Sequence, residues 1–343
     1  MQTTSYDRIR QAKDRLGDSL AIFAHHYQAE NVVRHADIVG DSLELARKVP
    51  GLCAEYIVFC GVYFMAETAS ILARPGQHVQ IPERDARCIM AAMAPVDRLR
   101  AVMRRLDSMG RKVVPLTYVN STAGVKAMVG EAGGTVCTSA NARTMLQWAL
   151  DRGDSCLFIP DKNLALNTAD QLGIPEAERH ILDIRSEGEA LDLEAAARAK
   201  LLIWPGCCAI HHRFKPSMIE AARAEHPGCL VVVHPECPPE TVALADESGS
   251  TSTIIRYCEE APEGATIIVG TEINLVERLA RRHAPGKTVL PLSHSGCLNM
   301  GKVTEDKLAD TLENIGYLNT VQVADDVSEP AALALQRMLE ASA

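Results

Sequence analysis

CLVVVHPE, residues 229–236, runs through five apolar positions and then directly into His234 and Glu236. The run is short, β-branched and without the 3.6-residue rhythm of a helix, so it reads as a buried strand. Side chains at i and i+2 just past such a strand project to the same side. The pattern recurs in LAIFAHHYQ (20–28), which yields His25 and Tyr27, and in KVVPLTYVN (112–120), which yields Tyr118 and Asn120. A hydroxyl residue follows each near the start of a helical pattern: Ser42 in GDSLELAR, Ser139 in TSANARTM and Thr251 in GSTSTIIR. Each unit then closes on a cysteine in polar surroundings, Cys88, Cys208 or Cys297.

The spacing supports a repeat. Seventeen residues separate His25 from Ser42 and His234 from Thr251, and 63 separate His25 from Cys88 and His234 from Cys297. In the middle unit the intervals from Tyr118 to Ser139 and Cys208 are 21 and 90, so it carries insertions, one of them expected around GEAGG (130–134). Two nested matches argue for three homologous α/β units of about 90 residues, too few and too globular for a solenoid.

Other short apolar runs fit the same scheme: YIVFC (56–60), HVQI (78–81), TVCT (135–138), SCLFIP (155–160), LLIW (201–204), ATIIVG (265–270) and TVLPL (288–292). Amphipathic stretches such as PVDRLRAVMRRLDSMG and NLVERLARRHAPG lie between them, several ending in glycine as helices often do. This alternation predicts α/β layers with parallel sheets. In open α/β sheets ligands bind beyond the carboxyl ends of the strands. Three units around a pseudo-threefold axis would direct those ends, with their polar pairs, hydroxyls and cysteines, to one central site.

Composition bounds the partners. The 343-residue chain is 47% hydrophobic and 23% charged, ordinary for a globular protein with ample core. A net charge of −9 argues against nucleic-acid or anionic-membrane surfaces, which need a basic face. Without a signal-like or spanning apolar segment, the chain reads as cytoplasmic. Its 11 cysteines therefore do not read as disulfides. Cys60, Cys137, Cys156 and Cys229 sit in strand-like runs as small core residues, whereas Cys88, Cys208 and Cys297 do not. One thiolate per unit suits a metal centre that no single unit could hold. Zn²⁺ with Cys₃His, or an iron–sulfur cluster with one open iron, both fit three thiolates. Glu236 is the candidate general base, with burial expected to raise its pKa.

The ordered set AHHYQ, GDSLELA, FCGVYFMAET, YVNSTAGVKA, TSANA, PDKNLA, WPGCCAIHHRF, HPEC, GSTS, GTE and GCLNM resembles the quinolinate synthase family from about Ala21 to about Val303. The resemblance implies three αβα-sandwich domains with pseudo-threefold symmetry around a central active site. Expected limits are residues 1–97 (completed by 298–343), 98–212 and 213–297. It implies condensation of iminoaspartate with dihydroxyacetone phosphate to quinolinate, phosphate and water for NAD biosynthesis. The implied cofactor is a [4Fe-4S] cluster on Cys88, Cys208 and Cys297, with Cys208 and not Cys207 at the ligand position. His25, Ser42, Tyr118, Asn120, Ser139, His211, His234, Glu236 and Thr251 fall on substrate-contact positions, with Tyr27, His234 and Glu236 in the chemistry. The resemblance admits a homodimer and transient contact with L-aspartate oxidase. Cys207 and Tyr63 depart from the family pattern, and Pro291 and His294 stand where some members carry further cysteines. The rival readings are an iron–sulfur sensor, for which no basic helix or appended module is present, and a zinc hydrolase using His211 as fourth ligand.

Overall fold

A computed structural model describes residues 4–342. Its strands are β1 (Leu20–His25), β2 (Ile38–Gly40), β3 (Tyr56–Cys60) and β4 (His78–Gln80), then β5 (Val113–Tyr118), β6 (Thr135–Cys137), β7 (Ser155–Ile159), β8 (Arg179–Ile181) and β9 (Leu201–Ile203). They continue with β10 (Leu230–Val233), β11 (Glu247–Ser248), β12 (Thr266–Gly270), β13 (Thr288–Pro291) and β14 (Thr320–Val321). Three sheets result, ordered β14-β4-β3-β1-β2, β6-β5-β7-β9-β8 and β11-β10-β12-β13. Every pairing is parallel except β14 on β4. The fold is α/β with parallel sheets, as the alternation predicts, and is consistent with the αβα layers that the resemblance implies.

All three sheets share one frame. In each, the first strand of the unit (β1, β5 or β10) sits between the second and third, at the point where strand order reverses. That is where open α/β sheets leave a crevice for ligands. The strands are buried on both faces, which accounts for their unbroken apolar runs. In the third sheet, Val232, Ile267 and Val269 pack with Ile254 and Leu279 on one side, while Val231, Val233 and Ile268 pack with Phe214 and Ile219 on the other.

The strands not foreseen, β2, β8, β11 and β14, are two or three residues long and all lie at sheet edges. The middle unit's extra length lies mainly between β7 and β9, where β8 and helix Leu193–Arg198 are inserted, rather than at GEAGG. GEAGG itself ends helix Ala123–Glu131, which is longer than its counterparts Glu30–Val33 and Pro239–Val242.

The C-terminal segment serves two units. Helix Glu305–Glu313 packs on helix Ser5–Leu16, and β14 extends the first sheet, but helix Asp325–Ala341 lies across Ala123–Glu131 and β6 of the second unit. The contact depends on a bare backbone at Gly130, where a Cβ would stand 1.8 Å from the Pro330 carbonyl oxygen. Gly130→Ala should therefore force the two helices apart and cost about 1–3 kcal/mol, read as a lower urea midpoint. An unchanged midpoint would mean that the last helix shifts freely. No helix of the described residues is long and apolar enough to cross a membrane.

Candidate active site

A cavity of about 280 Å³ collects side chains from all three units. The first unit supplies His25, Tyr27, Ser42 and Cys88, and the second Tyr118, Asn120, Ser139, Cys208 and His211. The third supplies His234, Glu236, Thr251 and Cys297, so every residue expected to bind the cluster or the substrates borders one space. Val62, Phe64, Met65, Met90 and Met300 make part of its wall apolar.

The strand-end loops are tied down from outside. Asn274 Nδ2 donates to the Tyr27 carbonyl (3.2 Å), and Arg278 donates to those of His26 (2.9 Å) and Gln28 (2.6 Å). Buried Asn163 and Asn167 of the second unit donate to the carbonyls of Glu236 (3.0 Å), Pro235 (2.7 Å) and Cys237 (2.8 Å). Buried Lys126 donates to the carbonyls of Val119 (2.8 Å) and Ser121 (2.5 Å), on either side of Asn120. Ser42, Ser139 and Thr251 do not cap the helices near which they stand. Asp41 caps the helix that starts at Ser42, and Ser250 caps the one that starts at Thr251. The Thr251 Oγ1 is buried with no hydrogen-bond partner. A polar atom left so is costly unless a ligand completes it.

His25 and His234 are held alike. The backbone N–H of Tyr27 donates to His25 Nδ1 (3.1 Å), and that of Glu236 to His234 Nδ1 (3.3 Å). Burial pushes both imidazoles down to about 3, so both are neutral. With Nδ1 accepting, each carries its proton on Nε2 and offers a donor.

His211 lies stacked on His234, with ring centroids 4.3 Å apart, and its Nδ1 is bonded to Glu236 Oε2. A carboxylate only accepts, so Nδ1 carries a proton and Nε2 is left facing Thr271. It meets Thr271 Oγ1 at 3.1 Å, which meets the Tyr27 hydroxyl at 2.8 Å. Tyr27, Thr271, His211 and Glu236 thus form one chain. Thr271 was missed in the sequence reading. It stands in the GTE motif directly after β12, and a polar residue past a second strand end was the available signal.

Glu236 corrects an expectation. Burial alone would raise its pKa, but His211 bonded to it, with the neighbouring His234 ring and Tyr118 hydroxyl, outweighs that and holds it at about 2. It is an ionised carboxylate with Oε1 buried and unpartnered. Tyr27 and Tyr118 are pushed up by burial and by Glu236, so both remain phenols.

The three cysteines are free thiols. Burial raises Cys88 to about 12 and also raises Cys208 and Cys297. Neighbouring sulfur adds to the shift, Cys297 acting on Cys88 and Cys88 on Cys208. Such a set lacks positive charge, which an iron–sulfur group held by three thiolates would supply. The donor chemistry fits a group with one open iron. Cys208, His211 and Glu236 also offer ligand atoms within 4.8 Å of one another, as a single ion would need. His211, however, has both ring nitrogens in hydrogen bonds, which weakens the Cys₃His reading. Cys207 is half-buried and does not border the cavity.

Comparison with known proteins places the chain. Residues 7–340 match the family described as quinolinate synthetase A protein. A quinolinate synthase of Acidobacterium capsulatum is 45% identical, over 97% of this chain and 92% of the relative. Quinolinate synthases of Corynebacterium glutamicum and Herpetosiphon aurantiacus are each 43% identical over 97% of this chain, covering 86% and 91% of the relatives.

Proposed function

The chain belongs to the quinolinate synthetase A family and is an enzyme of that type, acting in NAD biosynthesis, and from this premise we propose that it condenses iminoaspartate with dihydroxyacetone phosphate on a [4Fe-4S] cluster. The observation that carries the reading is the convergence of one polar pair, one hydroxyl and one thiol from each of three units on a single cavity.

Holding two small anions together removes much of the entropic cost of their reaction. The Nε2 donors of His25 and His234 bind carboxylate and phosphate oxygens, as do Ser42, Asn120, Ser139 and Thr251. Neutral imidazoles suit this task because they donate without forming a fixed ion pair that would slow release. Cys88, Cys208 and Cys297 would hold the cluster, whose open iron would supply Lewis acidity toward the hydroxyl that departs as water. Carbon–carbon bond formation, loss of phosphate and ring closure each require protons to move. Tyr27 is the proton-bearing end of the chain that faces substrate. As the Tyr27 hydroxyl takes a proton from the substrate, its own passes to Thr271, Thr271 gives its own to His211 Nε2, and Glu236 stabilises the imidazolium through Nδ1.

Anaerobic purification with iron and sulfide analysis, followed by a quinolinate assay on freshly generated iminoaspartate and dihydroxyacetone phosphate, tests the proposal. A brown protein that forms quinolinate is the expected result. A colourless zinc protein, or a brown one without turnover, would refute it in favour of the hydrolase or the sensor.

A further inference from the structure

The cysteine loops are anchored by a device that repeats in all three units. The first residue of the helix after the third-position strand donates its N–H to the carbonyl two residues before the cysteine. The pairs are Tyr63 to Ala86 (2.8 Å), Lys162 to Gly206 (2.7 Å) and Ile273 to Ser295 (3.0 Å). They lie ahead of Cys88, Cys208 and Cys297 respectively.

In the second and third units the residue just before that helix adds a further bond. Asp161, fully buried, caps its helix with Oδ1 on the Leu164 N–H (2.7 Å) and accepts the N–H of Cys208 on Oδ2 (2.9 Å). Glu272, also fully buried, caps the helix Ile273–His283 with Oε2 on the Asn274 N–H (2.8 Å) and accepts the N–H of Cys297 on Oε1 (3.2 Å). Val62 occupies the same place in the first unit and has no acceptor to offer. Among the described residues, the Cys88 N–H has no partner.

We propose that Asp161 and Glu272 are positioning residues that fix the backbone of two cluster-binding cysteines beyond the carboxyl ends of β7 and β12, leaving Cys88 the least constrained of the three. The inference rests on the three-cysteine cluster proposed above. Each acid caps its helix with one oxygen and accepts the cysteine N–H on the other, where Glu272 Oε1 also accepts from Asn274 Nδ2 (3.0 Å). The arrangement needs the two acceptor oxygens of a carboxylate. An amide has a single acceptor oxygen, and its NH₂ would face a backbone N–H. Asp161→Asn and Glu272→Gln must therefore release either the helix cap or the cysteine. Groups that orient metal ligands in this way often change metal retention by about 10- to 100-fold when replaced.

The test compares anaerobically purified wild type, Asp161→Asn and Glu272→Gln. Asp192→Asn serves as control, because Asp192 caps helix Leu193–Arg198 through the Ala195 N–H and touches no cysteine. Release of iron to a ferrous chelator should quicken about 10-fold in the two site variants and stay at the wild-type rate in the control. The electron paramagnetic resonance signal of the reduced cluster should change shape in the same two proteins, a readout that loss of a helix cap alone would not move. If one variant fails to fold, the other carries the comparison. Wild-type release rates and spectra in both variants, with the wild type holding iron and sulfide, would overturn the positioning role alone. A wild type without iron and sulfide would overturn the cluster and this inference with it.

Discussion

Cys88→Ala, Cys208→Ala and Cys297→Ala should each abolish quinolinate formation and the iron–sulfur absorbance, while Cys207→Ala retains both. The three sulfurs come from different units, so no two of them could hold the cluster alone. Burial pushes the pKa of each thiol upward, so each favours the protonated form without iron. Removing one leaves an iron without its thiolate and two neighbours favouring the protonated form. Cys207 is the internal control, being adjacent in sequence but outside the cavity. Iron and sulfide analysis of the four variants decides the matter. Bleaching in Cys207→Ala with colour kept in Cys208→Ala would shift the ligand position by one residue.

Much of this arrangement could be read from the chain because its repeat fixes positions twice. The 17- and 63-residue intervals located residues of the first and third units together, and strand ends told which side chains would share a face. Edge strands escaped notice because two or three residues such as Glu247–Ser248 carry no periodicity. Thr271 escaped because it has no counterpart in the polar pairs. The state of Glu236 lay beyond sequence for a different reason. Burial acts on a carboxylate wherever it is enclosed, but the group that reverses the shift here, His211, lies 25 residues away and meets it only in the folded protein. The same holds for Asn163 and Asn167, whose side chains reach the carbonyls of an active-site loop in another unit.

Glu236→Gln should lower turnover by about 10²-fold or more while the cluster and the thermal midpoint stay near wild type. A negative group beside anionic substrates is unfavourable for binding, so its presence calls for a chemical role. Its low pKa makes it a poor proton acceptor by itself. Its effect is exerted through His211, whose Nδ1–H it accepts, leaving Nε2 to receive the proton that starts on Tyr27. Glutamine can still accept that bond, which preserves shape, but it cannot stabilise the charge that His211 gains. It can also turn its NH₂ toward Nδ1, driving the imidazole into the tautomer that blocks the relay. Either outcome slows proton movement without removing a thiolate, so the loss should fall on kcat more than on KM. Near-normal kcat in a variant with full iron content would mean that the proton leaves Tyr27 by a route that bypasses His211 and Glu236.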